Sequence, residues 1–261
     1  MRKTIFNIDN KNNYKDEYKK IIKVLSSKCI VLDKNKYNYF DFINKYLFNN
    51  WNYRDTFIDV YSYLNFIGVN INNKKINEKS FFNLLEFLLN IQLVFESNKY
   101  LKENTIFNPT SYSVLFHNIP IILDKYGYEA YDLDDRVLIY KKDFSYEELF
   151  DLVPNDIYES ILYYNSINNN GIKIKRIILN KIYNYIIKDI DLYKSYNSTV
   201  FSSIKIVINK MGIIGDIDKK YKNLSNYKLR KYYDNCFKMM CYLIETKNIY
   251  KYRDEIKKSN N

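Results

Sequence analysis

The sequence predicts a mainly α-helical protein. A helical N-terminal domain ends in a small β-hairpin, and a basic helical bundle follows it. Three observations carry this reading. Apolar residues recur at helical spacing through most of the 261-residue chain. Only Tyr128–Lys141 alternates like paired strands. The positive charge is confined to one end: residues 1–170 hold 21 Lys and Arg against 22 Asp and Glu, and residues 171–261 hold 20 against 8. The formal net charge of +11 therefore comes from the C-terminal part. The expected domains are 1–168 and 169–261.

Composition supports a folded protein, with 47% hydrophobic and 27% charged residues. It also carries a bias. Ala130 is the single alanine, Gly totals 5 and Pro 3, while Lys, Asn, Ile, Tyr and Phe are inflated. These are residues of A/T-rich codons, and they point to an A/T-rich genome such as that of a low-GC bacterium, its phages, a large DNA virus or a protist. An Asn run such as Asn168–Asn170 is then read first as genomic drift. Codon bias acts along the whole chain, so it does not explain the charge split.

Element by element, residues 1–13 read as a polar arm, and Tyr14–Leu25 as a helix with Tyr18, Ile21, Ile22 and Leu25 on one face. Cys29–Leu32 fits a strand or a connector. Asn38 is placed to cap a helix to about Asn50. A helix over 53–66 would bury Phe57, Val60, Tyr61 and Leu64, with Gly68 in the position of a C-terminal glycine. Asn70–Asn77 reads as a polar loop. A long helix over 78–100 is apolar on several faces, as a central helix is. Another follows Pro109, over 110–126, with Pro120 as a point of interruption.

Tyr128–Tyr131 and Val137–Lys141 then form the hairpin, with Asp132–Asp135 as an acidic turn. The turn lacks the Gly and the distal Glu of a calcium loop. Pro154–Asp156 starts a helix to about Asn165, and Asn168–Gly171 is the linker candidate. Three helices make up the rest. One spans 172–196, with Ile174, Ile177, Ile178, Ile182, Tyr185 and Ile186 at helical spacing. One spans 198–211 and is broken by Gly212 and Gly215. One spans 226–246 and buries Leu229, Tyr232, Tyr233, Cys236, Phe237, Met240 and Leu243. A polar tail closes the chain.

The inventory excludes much chemistry. The one histidine, His117, lies in an apolar helix. With no second His and no Cys cluster, zinc and iron sites of the usual type are excluded, and no metal or cofactor is expected. There is no Gly-x-Ser-x-Gly elbow and no Gly-rich phosphate loop. No catalytic residue is assigned. Glu86, Glu159 and Glu245 lie in apolar helical contexts and are placed at rims. An enzyme using carboxylates or Tyr alone stays open, since spatial pairing is invisible in sequence. Cys29, Cys236 and Cys241 make no disulfide framework. No apolar run is long enough for a membrane span and no leader is apparent, so the expected location is cytoplasmic.

The informative cluster is basic and aromatic. Lys219, Lys220 and Lys222 are followed by Tyr227, Arg230, Lys231 and Lys238, with Lys205 and Lys210 on the preceding helix. Lys and Arg hold phosphates, and Tyr stacks on unpaired bases. The partner expected is RNA or an acidic protein surface; a solvated lysine-rich face is the plainer alternative.

The hairpin Tyr126–Tyr131 to Arg136–Ile139, and the ending Leu229–Met240, resemble the abortive-infection type of phage-defence proteins. In one such group a helical domain with a β-hairpin precedes a C-terminal bundle similar to HEPN domains. The resemblance covers about residues 110–255. It implies a HEPN-like scaffold and pairing into a homodimer. Active HEPN RNases use an Arg and a His near a helix junction. The matching stretch here, Ile208–Gly215, has neither, and Lys210 cannot replace a histidine in acid–base chemistry at neutral pH. The function expected is a phage-defence-related protein that binds RNA or an acidic partner without catalysis. The alternative is a phage- or virus-encoded inhibitor, anti-CRISPR-like, that blocks a host nuclease complex.

Overall fold

The computed structural model describes residues 13–72, 76–108, 112–133, 135–142, 149–167 and 171–259. All but the last residue of the expected N-terminal arm, part of the 70–77 loop, the Pro109–Thr110 helix start, Asp134 and the Asn168–Asn170 linker lie outside them. The protein is mainly α-helical, with two small antiparallel sheets. It divides into two compact units, Met1–Lys141 and Lys142–Asn261, rather than at 168/169. The physical reason is that the helix Asn155–Asn165 packs on the helix Ile172–Ile186 and so belongs to the second unit. The division changes the charge balance: residues 142–261 hold 21 basic and 14 acidic residues. The basic excess is therefore a property of a local surface more than of a whole unit.

In the first unit, α1 (Tyr14–Leu25) buries Tyr18, Ile21, Ile22 and Leu25 and packs on α4 (Glu78–Ser97). A short sheet orders β2 (Asn35–Tyr37), β1 (Ile30–Leu32) and β3 (Ile106–Phe107) side by side, with Ile30 opposite both Tyr37 and Phe107. Asp33 and Lys34 turn the β1–β2 hairpin with φ of 49° and 65°, the double left-handed geometry that a two-residue hairpin needs.

The expected helix over 38–50 is present with changing pitch. Asn38 caps α2 (Tyr39–Phe42) by accepting from the Asp41 N–H at 2.9 Å, a π turn covers Ile43–Leu47, and a 3-10 turn ends at Asn50. The helix expected from residue 53 begins only at Val60. Asp59 caps α3 (Val60–Phe66) by accepting from the Ser62 N–H at 2.9 Å, and the preceding turns include Asp55 at φ 57°. Tyr61 is 43% exposed, its hydroxyl on Asp41. Gly68 (φ 81°) ends α3: the Val69 N–H reaches the Leu64 carbonyl at 2.8 Å and the Gly68 N–H reaches Asn65 at 3.0 Å. Both bonds of a Schellman cap are thus made.

α4 is the centre of this unit. Asn77 and Ser80 form a reciprocal capping box, and every residue from Phe81 to Leu88 is buried. The helix stops at Ser97, short of the expected 100, because Asn98 leaves helical geometry and caps the next helix, α5 (Lys99–Asn104). α6 (Tyr112–Lys125) continues through Pro120. The hairpin pairs β4 (Tyr128–Leu133) with β5 (Arg136–Lys141) in the register Leu133↔Arg136. Asp132 and Leu133 are thus strand residues, not turn residues.

β5 is buried from Val137 to Tyr140, although β4 pairs only one of its edges. Polar side chains of α4 satisfy the other. Asn90 accepts from the Val137 N–H at 3.0 Å and donates to the Val137 carbonyl at 2.8 Å. Glu86 accepts from the Ile139 N–H at 2.8 Å. Glu86 is 6% exposed, which corrects its expected place at a rim. One helical turn before it, Asn83 donates to the Ile67 carbonyl at 2.5 Å, just past the end of α3.

In the second unit, α7 (Asn155–Asn165) and α8 (Ile172–Ile186) precede a 3-10 turn (Ile187–Asp189), α9 (Ile190–Lys210) and α10 (Asn226–Ser259). α10 packs on α8 and α9, and α8 packs on α7. The expected helix boundary near 197 is a kink: Asn197 is non-helical (φ −156°, ψ 87°), and its side chain accepts from the Val200 N–H at 3.0 Å. A further break falls at 187–189. Ile174 and Ile177 face outward, because the buried stripe of α8 runs Lys175, Ile178, Leu179, Ile182, Tyr183 and Ile186. α10 continues to Ser259, past the expected end at 246.

Two stability outcomes follow for the first unit, and Trp51, the one tryptophan, reports on it alone. Asn90→Ala leaves the Val137 N–H and carbonyl without that partner in the core. It should cost about 3 kcal/mol, read as a lowered denaturant midpoint in Trp51 fluorescence. The second concerns alkali. Tyr18 is fully buried, its hydroxyl on the Asn70 carbonyl at 3.0 Å, and burial pushes it from 10.0 to about 12. The folded state holds this proton where the unfolded state has lost it. The contribution is therefore complete below pH 10 and falls between 10 and about 12. Alkaline titration should show that loss, and Tyr18→Phe should make it smaller, with Tyr61, Tyr63 and Tyr126, also pushed up by burial, carrying the remainder.

Candidate nucleic-acid interface

α10 carries the candidate surface on the side turned away from its core. Leu229, Tyr233, Cys236, Met240, Leu243 and Ile244 face inward. Burial pushes the Cys236 thiol up to about 12, as befits a core side chain. On the outer side Tyr227, Lys231, Asn235, Lys238 and Tyr242 recur every three or four residues and are all exposed. Tyr227 is 77% exposed and Tyr242 45%. Between residues 219 and 244 the chain has seven Lys and Arg and a single acid, Asp234.

That acid is engaged inside the unit. Lys175 of α8 is 8% exposed and holds Asp234 at 2.7 Å. The Tyr164 hydroxyl donates to the same oxygen at 3.0 Å, and the Lys175 ammonium lies 4.1 Å from the Tyr164 ring centroid. Tyr164 in turn stacks on Phe237 at 4.0 Å. Burial, and secondarily the Asp234 charge, push the Tyr164 hydroxyl far above its ordinary range. It is a neutral donor that ties α7 to α10.

The connection between α9 and α10 is also fixed. Gly212 is left-handed (φ 74°), and a Cβ there would meet the Ile217 side chain at 2.5 Å. The Tyr233 hydroxyl donates to the Met211 carbonyl at 2.8 Å, and the Asp218 N–H to the Lys210 carbonyl at 2.9 Å. Arg176 of α8 donates to the carbonyls of Ile213 (3.3 Å) and Gly215 (2.5 Å). The end of the Ile208–Gly215 stretch is therefore held through its backbone by Arg176.

The sequence-predicted residues divide. Lys231 and Lys238 share the outer side of α10, with Tyr227 at its start. Among the described residues neither lysine forms an ion pair. Arg230 is half-buried at the edge of this side. Lys219 and Lys220 sit exposed on a single 3-10 turn capped by Asp218, and Lys222 follows it. Lys210 is exposed at the end of α9, one turn beyond Ile206. Lys205 lies about 140° round α9 from Lys210 and points to a different side.

A groove of about 590 Å3 runs between the two helices, lined by Ser203, Ile206 and Val207 of α9 and by Tyr232, Asn235, Lys238 and Met239 of α10. Tyr232, expected in the core, is instead 41% exposed and forms part of its wall. Sequence reasoning missed Lys175, Arg176 and Asn235. The only signal for Lys175 was its position three and seven residues before Ile178 and Ile182.

No family model, no curated protein and no solved structure matches this chain. Among the described residues no helix is long and apolar enough to cross a membrane.

The junction has a measurable asymmetry. Asp234→Ala leaves the Lys175 ammonium buried without its counter-charge and should destabilise the second unit by about 2 kcal/mol, less than for a fully buried pair because Asp234 is partly exposed. Lys175→Met leaves a half-exposed carboxylate and should cost clearly less. Hydrogen exchange at the central α10 amides measures both, and equal losses would show that the pair does not act through burial of the lysine.

Proposed function

We propose that the chain binds single-stranded RNA through the outer side of α10 and the end of α9. In this reading it is a defence-related helical protein with a HEPN-like C-terminal scaffold and no cleavage chemistry of its own. One observation carries it: two exposed tyrosines, Tyr227 and Tyr242, bracket Lys231, Asn235 and Lys238 on one side of α10, while the one acid of the segment is held by Lys175. Lysines neutralise phosphates, and tyrosine rings offer stacking faces to unpaired bases. Exposed tyrosines beside lysines suit an unpaired nucleic acid, which needs both stacking faces and phosphate contacts. The Ile208–Gly215 stretch has no His or Arg to assist attack by a 2′-hydroxyl.

The test is a mobility-shift and cleavage assay with labelled single-stranded RNA, run at low and moderate salt. Binding should weaken with salt and leave the RNA intact. The Lys210→Glu, Lys231→Glu, Lys238→Glu triple variant should lose it, and the milder Lys210→Gln, Lys231→Gln, Lys238→Gln variant should bind more weakly with a salt slope shallower by about 2 in log–log terms. Absence of binding at low salt would overturn the reading and point to a protein partner. Cleavage that the variant abolishes would overturn its non-catalytic part.

A further inference from the structure

We infer that the groove between α9 and α10 is a base pocket, and that it takes an unpaired adenine of the bound strand. This rests on the RNA reading above and adds a specificity to it. A cationic stripe alone attracts any polyanion and reads nothing. The groove differs from that stripe in three ways.

First, its walls are apolar and aromatic. Ile206 is 51% exposed and Tyr232 is 41% exposed, and Val207 and Met239 line the groove with them. Large apolar side chains left open to water favour a flat ring over solvent, and at about 590 Å3 the space falls in the range of small-ligand clefts. Second, its charge complements a nucleotide. Lys238 is part of the lining, and Lys210 stands one turn beyond Ile206, so cations flank an apolar cleft as phosphates flank a base. Among the described residues no carboxylate lines it. Third, the lining includes one side-chain amide, Asn235, exposed between Lys231 and Lys238. An amide presents a donor and an acceptor side by side. On its outer purine edge adenine offers the complementary pair, N6–H and N7, where guanine offers two acceptors. Pyrimidines have a smaller face to lay against Tyr232 and Met239.

The experiment uses the full chain and four fluorescein-labelled ten-nucleotide RNAs, A10, G10, C10 and U10, read by fluorescence anisotropy at fixed low salt. A10 should bind about tenfold tighter than U10, in keeping with one bidentate amide–base contact. Asn235→Ala should erase that preference, bringing A10 affinity down to the U10 affinity of the same variant. Asn235 is exposed, so the variant should keep the wild-type circular dichroism spectrum, and Asn235→Gln should restore part of the preference. Equal affinity for all four strands would overturn the base pocket and leave general RNA binding intact. A preference for A10 that survives in Asn235→Ala would also overturn it, placing the selection elsewhere. No binding to any strand would overturn this inference together with the RNA reading.

Discussion

The first unit depends on a polar seam inside its most apolar helix. α4 is buried on nearly every side, and a helix of that kind ordinarily carries only apolar residues. Yet Asn83, Glu86 and Asn90 recur at spacings of three and four on one side of it, and each meets a backbone group across the core. A two-stranded hairpin is marginal alone and leaves one edge of each strand unpaired. Here the inner edge of β5 faces a helix, which has no backbone groups to offer. Side-chain amide and carboxylate groups stand in for the missing strand. Each is costly to bury alone, and so is each backbone group it meets; the pairing offsets both, while the Asn83 Oδ1 is left without a hydrogen bond among the described residues. This fixes the register of the hairpin against the helix, because shifting β5 by one residue would present the wrong groups to Glu86 and Asn90.

The second unit solves a related problem with charge. Lys175 occupies a core position of α8, where its ammonium would be expensive without a partner. Asp234 supplies the counter-charge, Tyr164 lays a ring against the cation, and its hydroxyl shares the same carboxylate oxygen. One consequence reaches the surface. The single acid of the α10 segment is drawn toward the core junction, so the outer side of the helix keeps its lysines uncompensated. Structural pairing within the bundle and the cationic character of its outside thus share one residue.

Much of this architecture was legible in the sequence, and the failures have physical causes. Helices whose apolar residues keep a strict period, such as Tyr14–Leu25 and Asn155–Asn165, emerge with their expected bounds. Caps with a dedicated residue, Asn38 and Gly68, do too. Strands β2 and β3 escape because two or three residues carry no measurable period and become strands only through β1. Aromatic residues continue the period of α3 backward to residue 53, but Asp59 takes the cap and the helix starts at Val60. The spacing of Tyr232 fits the core as well as a groove wall, and period alone does not separate the two. The site was legible in composition but not in convergence. That Lys238 meets the Ile206 face, and Lys205 does not, depends on how α9 and α10 are rotated against each other.

The charge distribution shows why convergence matters more than totals. Counted by sequence, the C-terminal residues look strongly basic; counted by folded unit, the acids between 143 and 159 dilute the excess. Net charge is nevertheless the wrong measure for a strand lying along one helix. Surface charges farther apart than about 10 Å are largely screened at 0.1 M salt. Lys231 and Lys238 are seven residues apart, about 10 Å along the axis, so in the proposed complex they would act on the same stretch of phosphates. In a chain biased toward Lys and Tyr by its codons, the abundance of either residue says little. Two lysines bracketed by two exposed tyrosines on one side of a single helix, with an apolar groove beside them, are a placement that composition alone does not dictate.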